Sequence, residues 1–300
     1  KISIRLKICV QAKVGKRIMM LHGWGRYPKC EVRFRVPKSE KELIELLKSG
    51  KSIARGNGRG YGDCAISVKN TLHMARFNRI LKFDKSKGLL VCESGVILSD
   101  ILKIFIPRGW FPYVTPGTKY VTIGGMIAAD IHGKNHHQDG SFGNFVEWID
   151  VLDASGSVKR CSRTKNTKLF FWTVGGMGLT GIILRACIKL RNIESAWILQ
   201  KTIPARNIDE IFDLFEDSSS SLYSVAWIDC MQRGKNLGRA VLMLGEHAKK
   251  IDLSEDKCLN PLEMKKSKSY EIPFLFPGHI LNRTTAKLFN FFYYRNAKKK

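Results

Sequence analysis

Thr122-Ile123-Gly124-Gly125, followed by Asp130-Ile131-His132-Gly133-Lys134-Asn135-His136-His137 and then Gly140-Ser141-Phe142-Gly143, is the stretch that decides the fold. Residues 122–143 hold three histidines, one lysine and five glycines. Glycine lets backbone approach a ligand closely, and successive free N–H groups bind anionic oxygens. Such density suits chain wrapped around a large, flat, phosphorylated molecule.

Upstream, Ser52-Ile53-Ala54 reads as a strand running into Gly56-Asn57-Gly58-Arg59-Gly60-Tyr61-Gly62, a loop of alternating glycines built for close approach. Before it, Leu43, Ile44, Leu46 and Leu47 predict a helix over Glu40 to Lys48 that stops at Gly50. Ile80 to Phe83 and Leu89 to Cys92 predict paired strands across the polar turn Asp84 to Gly88. Ser99 is placed to cap a helix from Asp100 to about Ile106, ended by Pro107 and Gly109. Downstream, Phe145 to Asp153 reads as a strand, Ala154 to Ser157 as a turn, Lys168 to Thr173 as a short helix, and Gly181 to Leu190 as a β-prone run. Strands and single helices without regular βαβ alternation predict an α+β fold. From about residue 196 the character changes. Asn207 to Glu216 predicts an amphipathic helix, Leu222 to Ile228 a strand, and the remainder reads as irregular and lysine-rich. The expected division is residues 18–195 as one domain and 196–300 as a second, partial one.

Several motifs fail on inspection. Gly176-Met177-Gly178-Leu179-Thr180-Gly181 has the letters of a dinucleotide fingerprint, but that motif needs a helix after it and here a β-prone run follows. In the earlier loop Tyr61 stands where the third glycine would be. His132 and His136 have i, i+4 spacing, which brings imidazoles to one metal only on a helix, and Gly133 disfavours one; no metal is expected. The same histidines also suit a bland role, satisfying local backbone. No G-x-S-x-G elbow and no P-loop is present, so neither a hydrolase nor a nucleoside triphosphatase is indicated.

Composition sets further bounds. The formal charge of +25 calls for an anionic partner, and nucleic acid, an anionic membrane surface and a phosphorylated substrate all fit, as does solvated lysine with no partner. The excess is spread along the chain, with clusters at Lys1 to Arg17, Lys249-Lys250, Lys265 to Lys268 and Lys298 to Lys300. No nucleic-acid-binding motif accompanies it, so no specific nucleic acid is expected. No run approaches the roughly 18 apolar residues of a membrane span, and Lys1 to Arg17 makes a poor secretory signal. The expected location is cytoplasmic, with peripheral residence at the inner face of a membrane compatible with the charge. The cysteines at 9, 30, 64, 92, 161, 187, 230 and 258 show no C-x-x-C spacing and read as buried free thiols.

Taken together, these pieces resemble the vanillyl-alcohol-oxidase, or PCMH-type, family of FAD-dependent oxidoreductases. The matching residues are Ala54-Arg55-Gly56-Asn57-Gly58-Arg59-Gly60-Tyr61-Gly62-Asp63, Pro116-Gly117-Thr118, Val121 to Gly125, Asp130 to His137, Gly140 to Asn144, Thr173 to Ile182, and Ala226-Trp227-Ile228-Asp229. They span roughly residues 21 to 240, and within the family they are most similar to the branch acting on polyprenyl-phosphoryl ribose in arabinan precursor synthesis. The resemblance implies a two-subdomain FAD-binding fold followed by the start of an α+β substrate domain, with more chain beyond Lys300 in family members. It implies that the glycine loop within Ala54 to Asp63 and the turn Thr122-Ile123-Gly124-Gly125 cradle the FAD pyrophosphate, with Gly117 and Thr118 also binding the cofactor. Ala129, Asp130, Ile131 and His132 then run beside the isoalloxazine ring, with Gly178, Gly181 and Ile182 completing the site and FAD held noncovalently. His132, Tyr61 and Lys134 become the candidate catalytic residues, and Trp227 and Lys134 the candidate substrate residues.

The activity implied is hydride transfer from a secondary hydroxyl of a polyprenyl-phosphoryl pentose to the flavin. A keto sugar results, which a partner reductase converts to the arabinose epimer. Two alternatives stay open: a sugar-lactone or alditol oxidase of the same family, and a truncated, noncatalytic remnant that binds FAD or nucleic acid.

Overall fold

A computed structural model describes residues 17–264, 277, 280 and 282–297. Cys9, the basic segment before residue 17 and the clusters Lys265 to Lys268 and Lys298 to Lys300 lie outside the described residues. The fold is α+β, and the chain divides between Ile193 and Glu194 into two compact units.

The first unit contains two sheets. β1 (Arg17–Leu21), β2 (Cys30–Arg35), β3 (Ser52–Arg55) and β4 (Asn70–His73) form a sheet of order β1-β2-β4-β3, in which β2 and β3 both run parallel to β4. The parallel crossover from β2 to β3 is α1 (Glu40–Lys48), with Ser39 as N-cap accepting from Glu42 N. Leu43 on its buried face joins Leu72, Met74 and Phe77 in a small core.

β5 (Ile80–Asp84), β6 (Leu89–Glu93), β8 (Val146–Leu152), β9 (Val158–Ser162) and β10 (Ile182–Asn192) make the second sheet in the order β5-β6-β10-β8-β9, and β7 (Trp110–Pro112) pairs with the end of β10. Its centre, β10, is apolar on both faces because both are covered, which is why its sequence reads as a continuous run rather than an alternation. Over it lie α2 (Leu98–Phe105) and α3 (Ile123–Ala128), whose Leu98, Ile101, Phe105, Ile123, Met126 and Ile127 belong to the largest core. Two short helices, α4 (His136–Asp139) and α5 (Thr167–Thr173), complete the unit.

Helix α2 corrects one expectation. It starts at Leu98 rather than Asp100, and its N-cap is Ile97, which makes no side-chain cap. The free amides of Leu98 and Ser99 bond instead to the carbonyls of Val121 and Lys119 at 2.9 and 2.8 Å, so a tertiary strand partner does what a capping hydroxyl would.

His73 carries a pH consequence. Half-buried against the ring of Phe34 at 5.3 Å and beside the Arg55 guanidinium, it is lowered to about 4, chiefly by burial. In the unfolded chain it would titrate near 6.5, so from pH 6.5 down to 4 only the unfolded state takes up the proton. Stability is full above that window and falls across it by about 2–3 kcal/mol. Denaturant midpoints of wild type and His73→Gln measured from pH 7 to 4 are expected to diverge, the variant losing the slope.

The second unit is a three-stranded antiparallel sheet, β11 (Ile198–Ala205), β13 (Ala240–His247) and β12 (Tyr223–Ile228), with β13 in the middle. Helix α6 (Ile208–Asp217), capped by Asn207, lays Ile211 onto Ala205, Ala240, Leu242 and Leu244. A short α7 (Glu255–Cys258) and a long α8 (Arg283–Ala297) follow. The region expected to be irregular therefore contains a central strand and a 15-residue helix. Helix α8 docks through Tyr294, whose hydroxyl donates to Ala205 O at 3.1 Å, while Phe289, Phe291 and Phe292 are exposed. No helix among the described residues is long and apolar enough to cross a membrane.

Candidate functional site

In the first unit, β3 delivers the chain into the glycine loop, and Arg55 fixes the loop's base. Its guanidinium turns under the loop to the carbonyls of His22 (2.7 Å) and Ala65 (3.4 Å). Gly58 sits directly against that guanidinium with φ of +63°, where a side chain would be both strained and overlapped. Asn57 Nδ2 donates to Tyr120 O at 2.8 Å, and Trp24 N to Gly60 O at 2.7 Å. Arg59 lies over the rings of Trp24 and Tyr120 at 5.0 and 5.7 Å, with its pKa lowered by burial.

The Thr122 to Gly125 segment, expected as a turn, is the N-cap and first turn of α3. Two glycines disfavour a helix by about 1 kcal/mol each. The cost is offset by full burial of Ile123, Met126 and Ile127 and by Thr122 Oγ1, which accepts from Gly125 N at 3.3 Å. Gly124 N donates to Ser94 O at 2.7 Å, and a Cβ on Gly124 would come within 2.8 Å of Ser94 Cβ. At the other end, Gly175 N and Met177 N donate to the Ile127 and Ala128 carbonyls at 3.0 and 2.8 Å, tying the third glycine turn to the last turn of α3.

The result is a cleft of about 190 Å³, walled by the glycine loop (Ala54, Gly56 to Gly60, Cys64, Ala65), by α3 and its continuation, and by Met177, Gly178, Gly181 and Ile183. That volume encloses a stretch of an extended ligand rather than a whole one. Of the anticipated cofactor residues, Ala54, Gly56, Asn57, Gly58, Arg59, Gly60, Thr122, Gly124, Gly125, Ala129, Ile131, Gly178 and Gly181 line it. The others lie off the wall for identifiable reasons. Arg55 and Gly62 shape the loop from behind, and Ile123 and Ile182 are core side chains. Asp130 spends its carboxylate on Gly143 N (2.7 Å) and Ser141 Oγ (2.8 Å). Tyr61 is 75% exposed, Asp63 and Gly117 are exposed, and the Thr118 hydroxyl accepts from Tyr120 N.

His132 and Lys134 are exposed beyond the cleft's edge, with His132 edge-on to the His136 ring at 5.5 Å. Their segment is anchored by a residue not singled out from the sequence. Asn135, fully buried, donates through Nδ2 to Tyr113 O and Asp139 Oδ2 at 2.7 and 2.6 Å. Asp139 in turn pairs with Arg191, which covers the Tyr113 ring at 4.3 Å. Trp227, in the second unit, is half-buried on β12 against Tyr293 at 4.6 Å.

The sequence reading missed Cys64, Met74, Ser94, Val121, Met126 and Met177 on the wall. The signal for Ser94 was available: Ser94-Gly95 ends a strand, and a Cβ on Gly95 would meet Phe77 O at 2.7 Å, so the chain must pass close there. Thiol exposure also departs from expectation. Cys92, Cys161 and Cys187 are buried, burial pushing Cys92 to about 12 and Cys187 to about 11, whereas Cys64, Cys230 and Cys258 are exposed. Alkylation of the native protein at mildly alkaline pH is expected to modify the exposed three and spare the buried three until denaturant is added, as read by peptide mass mapping.

The cleft's chemistry fits a dinucleotide. Arg59 Nε and Ser94 Oγ are buried on its wall without protein partners, which a bound polar group would satisfy. Gly56 and Gly124 leave no room for a Cβ because Thr122 and Ser94 stand against them, so the wall at both positions is bare backbone. A strand, a glycine loop and a glycine-started helix converging on a narrow cleft define the class: residues 33–162 are an FAD binding domain. The first unit's α+β fold is that of this FAD binding domain, and FAD is the cofactor its cleft is built to hold.

Among individual proteins, the chain is 35% identical to decaprenylphosphoryl-beta-D-ribose oxidase of Mycolicibacterium smegmatis over 292 residues, 94% of this chain and 63% of that protein. It is 26% identical to bovine (Bos taurus) L-gulonolactone oxidase over 207 residues, 66% of this chain and 46% of that protein. It is 38% identical to cytokinin dehydrogenase 5 of Arabidopsis thaliana over 97 residues, 32% of this chain and 18% of that protein. The chain thus spans less than two thirds of the length of each.

Proposed function

We propose that the protein is an FAD-dependent oxidoreductase that converts the ribose 2′-hydroxyl of a polyprenyl-phosphoryl pentose to a ketone, the first half of an epimerisation to arabinose. One observation carries the reading. A chain similar over 94% of its length to decaprenylphosphoryl-ribose oxidase keeps Arg59 Nε and Ser94 Oγ buried and unpaired on a wall of glycine backbone.

When bound, FAD supplies the two-electron acceptor, taking hydride at N5. The residues of this chain supply position and charge. Backbone of Gly56 to Gly60 holds the pyrophosphate, the Thr122 to Gly125 segment lines the cleft beside it, and Arg59 places a permanent positive charge there. Ala129, Ile131, Gly178 and Gly181 enclose the ligand from the other side. Asp130 acts indirectly, by fixing Ser141 and Gly143 so that His132 is held where β-bridge pairing with Ser141 puts it. His132 takes the hydroxyl proton at an imidazole nitrogen, and Lys134 offsets the substrate phosphate. Tyr61 is the remaining residue of the first unit on the substrate side in this proposal. FAD is held noncovalently. A reductase consumes the keto sugar, and the +25 charge favours residence at an anionic membrane face, where lipid-linked substrate is found.

The test is a visible spectrum of the purified chain before and after acid precipitation, followed by anaerobic bleaching with polyprenyl-phosphoryl ribose. Flavin that is released by acid and bleached only by the lipid-linked sugar supports the proposal, and flavin should slow alkylation of Cys64 alone. Bleaching by free lactones or alditols instead would transfer the chain to the sugar-lactone oxidases, a reading supported by the similarity to L-gulonolactone oxidase. Flavin that no alcohol bleaches would mark a noncatalytic binder.

A further inference from the structure

Among the described residues, the second unit contains a cavity that the flavin site does not use. It measures about 540 Å³ and is lined by Met231, Gln232, Arg233, Arg239, Arg283, Lys287 and Phe291. Four of these seven side chains are cationic, and no carboxylate is on the wall. Three come from one face of α8, since Arg283, Lys287 and Phe291 repeat every four residues.

The charge balance is uncompensated. Arg239 is held by Asp229, which is fully buried and accepts from Arg239 Nη2 at 2.6 Å. That carboxylate is saturated by further bonds from Met231 N, Gln232 Nε2 and Asn290 Nδ2 at 3.1, 3.0 and 2.6 Å. Asp229 therefore neutralises one cation and orients it. Arg233, Arg283 and Lys287 have no ion-pair partner among the described residues, and Arg239 Nε is buried without an acceptor. These three exposed cations line one cavity with no counter-charge among the described residues, an arrangement that suits an anion. Guanidinium groups present forked donors that match phosphate oxygens, while Met231 and Phe291 give an apolar floor beside them.

We infer that this cavity is a phosphate-binding site, taking the phosphate of a free phosphorylated metabolite or of a lipid headgroup, with Arg233, Arg239, Arg283 and Lys287 as its donors. The inference does not rest on the reading of the flavin cleft, and its test needs no turnover. Thermal midpoints of the full chain are recorded with inorganic phosphate against chloride at equal ionic strength, and co-sedimentation with phosphatidylglycerol vesicles against phosphatidylcholine vesicles. Arg239 is left intact because it is part of the Asp229 network. The variants are the exposed pair Arg283→Gln with Lys287→Gln, and as a control of equal charge Lys201→Gln with Lys249→Gln.

Phosphate is expected to raise the wild-type midpoint, and the cavity pair to weaken the apparent affinity by about tenfold or more while the control pair leaves it unchanged. Phosphate binding without vesicle binding identifies a soluble ligand, and vesicle binding lost only in the cavity pair identifies a headgroup. Binding of neither probe, or equal loss in both double variants, overturns the inference.

Discussion

Replacing Gly56 with valine is expected to yield a folded protein that does not retain flavin. A Cβ at this position overlaps Thr122 Oγ1 and lies 3.2 Å from Thr122 Cβ and Cγ2. Thr122 cannot yield, because its oxygen caps α3 and its backbone adjoins Ile123 N, which is bonded to Val96 O at 2.9 Å. The glycine loop must give instead, moving Gly58 and Arg59 away from the opposite wall. Overpacking of this kind costs about 1–3 kcal/mol, and since the displacement falls on ligand-contacting backbone it is expected to appear in affinity as a loss of up to roughly a hundredfold. Flavin absorbance per mole of purified protein reads the loss, and far-ultraviolet circular dichroism reads the fold. Gly117→Ala is the comparison: its Cβ meets nothing within 4 Å, and Gly117 is off the cleft wall. Equal flavin content in Gly56→Val and wild type would remove the cleft from cofactor binding, and loss in Gly117→Ala would extend the site to the Pro116 to Thr118 turn.

That contrast also separates what the sequence made legible from what it did not. Period and punctuation placed α1 at its observed bounds and β5 and β6 as a pair, because each is stabilised by its own amphipathic face and turn. Gly124-Gly125 hid α3, since intrinsic propensity opposes a helix that only Ser94, Val96 and the surrounding core make favourable. Helix α8 was hidden for the opposite reason: Phe289 to Tyr294 is apolar without a clean period, and only Tyr294 is buried. On the cleft wall, glycine positions could be read because close approach demands them. Met74 and Cys64 could not, because ordinary residues acquire that place only when separate segments meet. Asp130 shows the limit of motif reading, its carboxylate being engaged by the neighbouring loop.

Truncation of Asp150 to alanine is expected to destabilise the protein more than any other surface-directed ion-pair change in the first unit. The carboxylate is only 7% exposed and accepts from Arg160 Nε and Nη2 at 2.8 and 3.0 Å and from Arg185 Nε at 3.0 Å. Arg185 then reaches Glu40 at 2.8 Å, so one carboxylate on β8 links β9, β10 and the start of α1. Removing it takes the shared acceptor from two arginines that keep partial access to water, 51% for Arg160 and 29% for Arg185, a change worth about 2–3 kcal/mol. Arg160→Ala removes a residue that is half exposed and covers the Trp148 ring at 3.7 Å, and should cost only about 1 kcal/mol. Burial pushes the Asp150 carboxyl up, but the bonds from Arg160 and Arg185 outweigh it and hold the group below its usual value. A depressed folded pKa means that this stabilisation is present above the ordinary carboxylate range near ~4 and is lost as pH falls below it. The His73 effect is already spent by then, so acid unfolding should show two separable losses, one between pH 6.5 and 4 removed by His73→Gln and one below it removed by Asp150→Ala. Urea midpoints for the three variants measure both terms. A cost for Asp150→Ala no larger than that for Arg160→Ala would show that the arginines find other partners, and that the sheet rather than the carboxylate holds α1 in place.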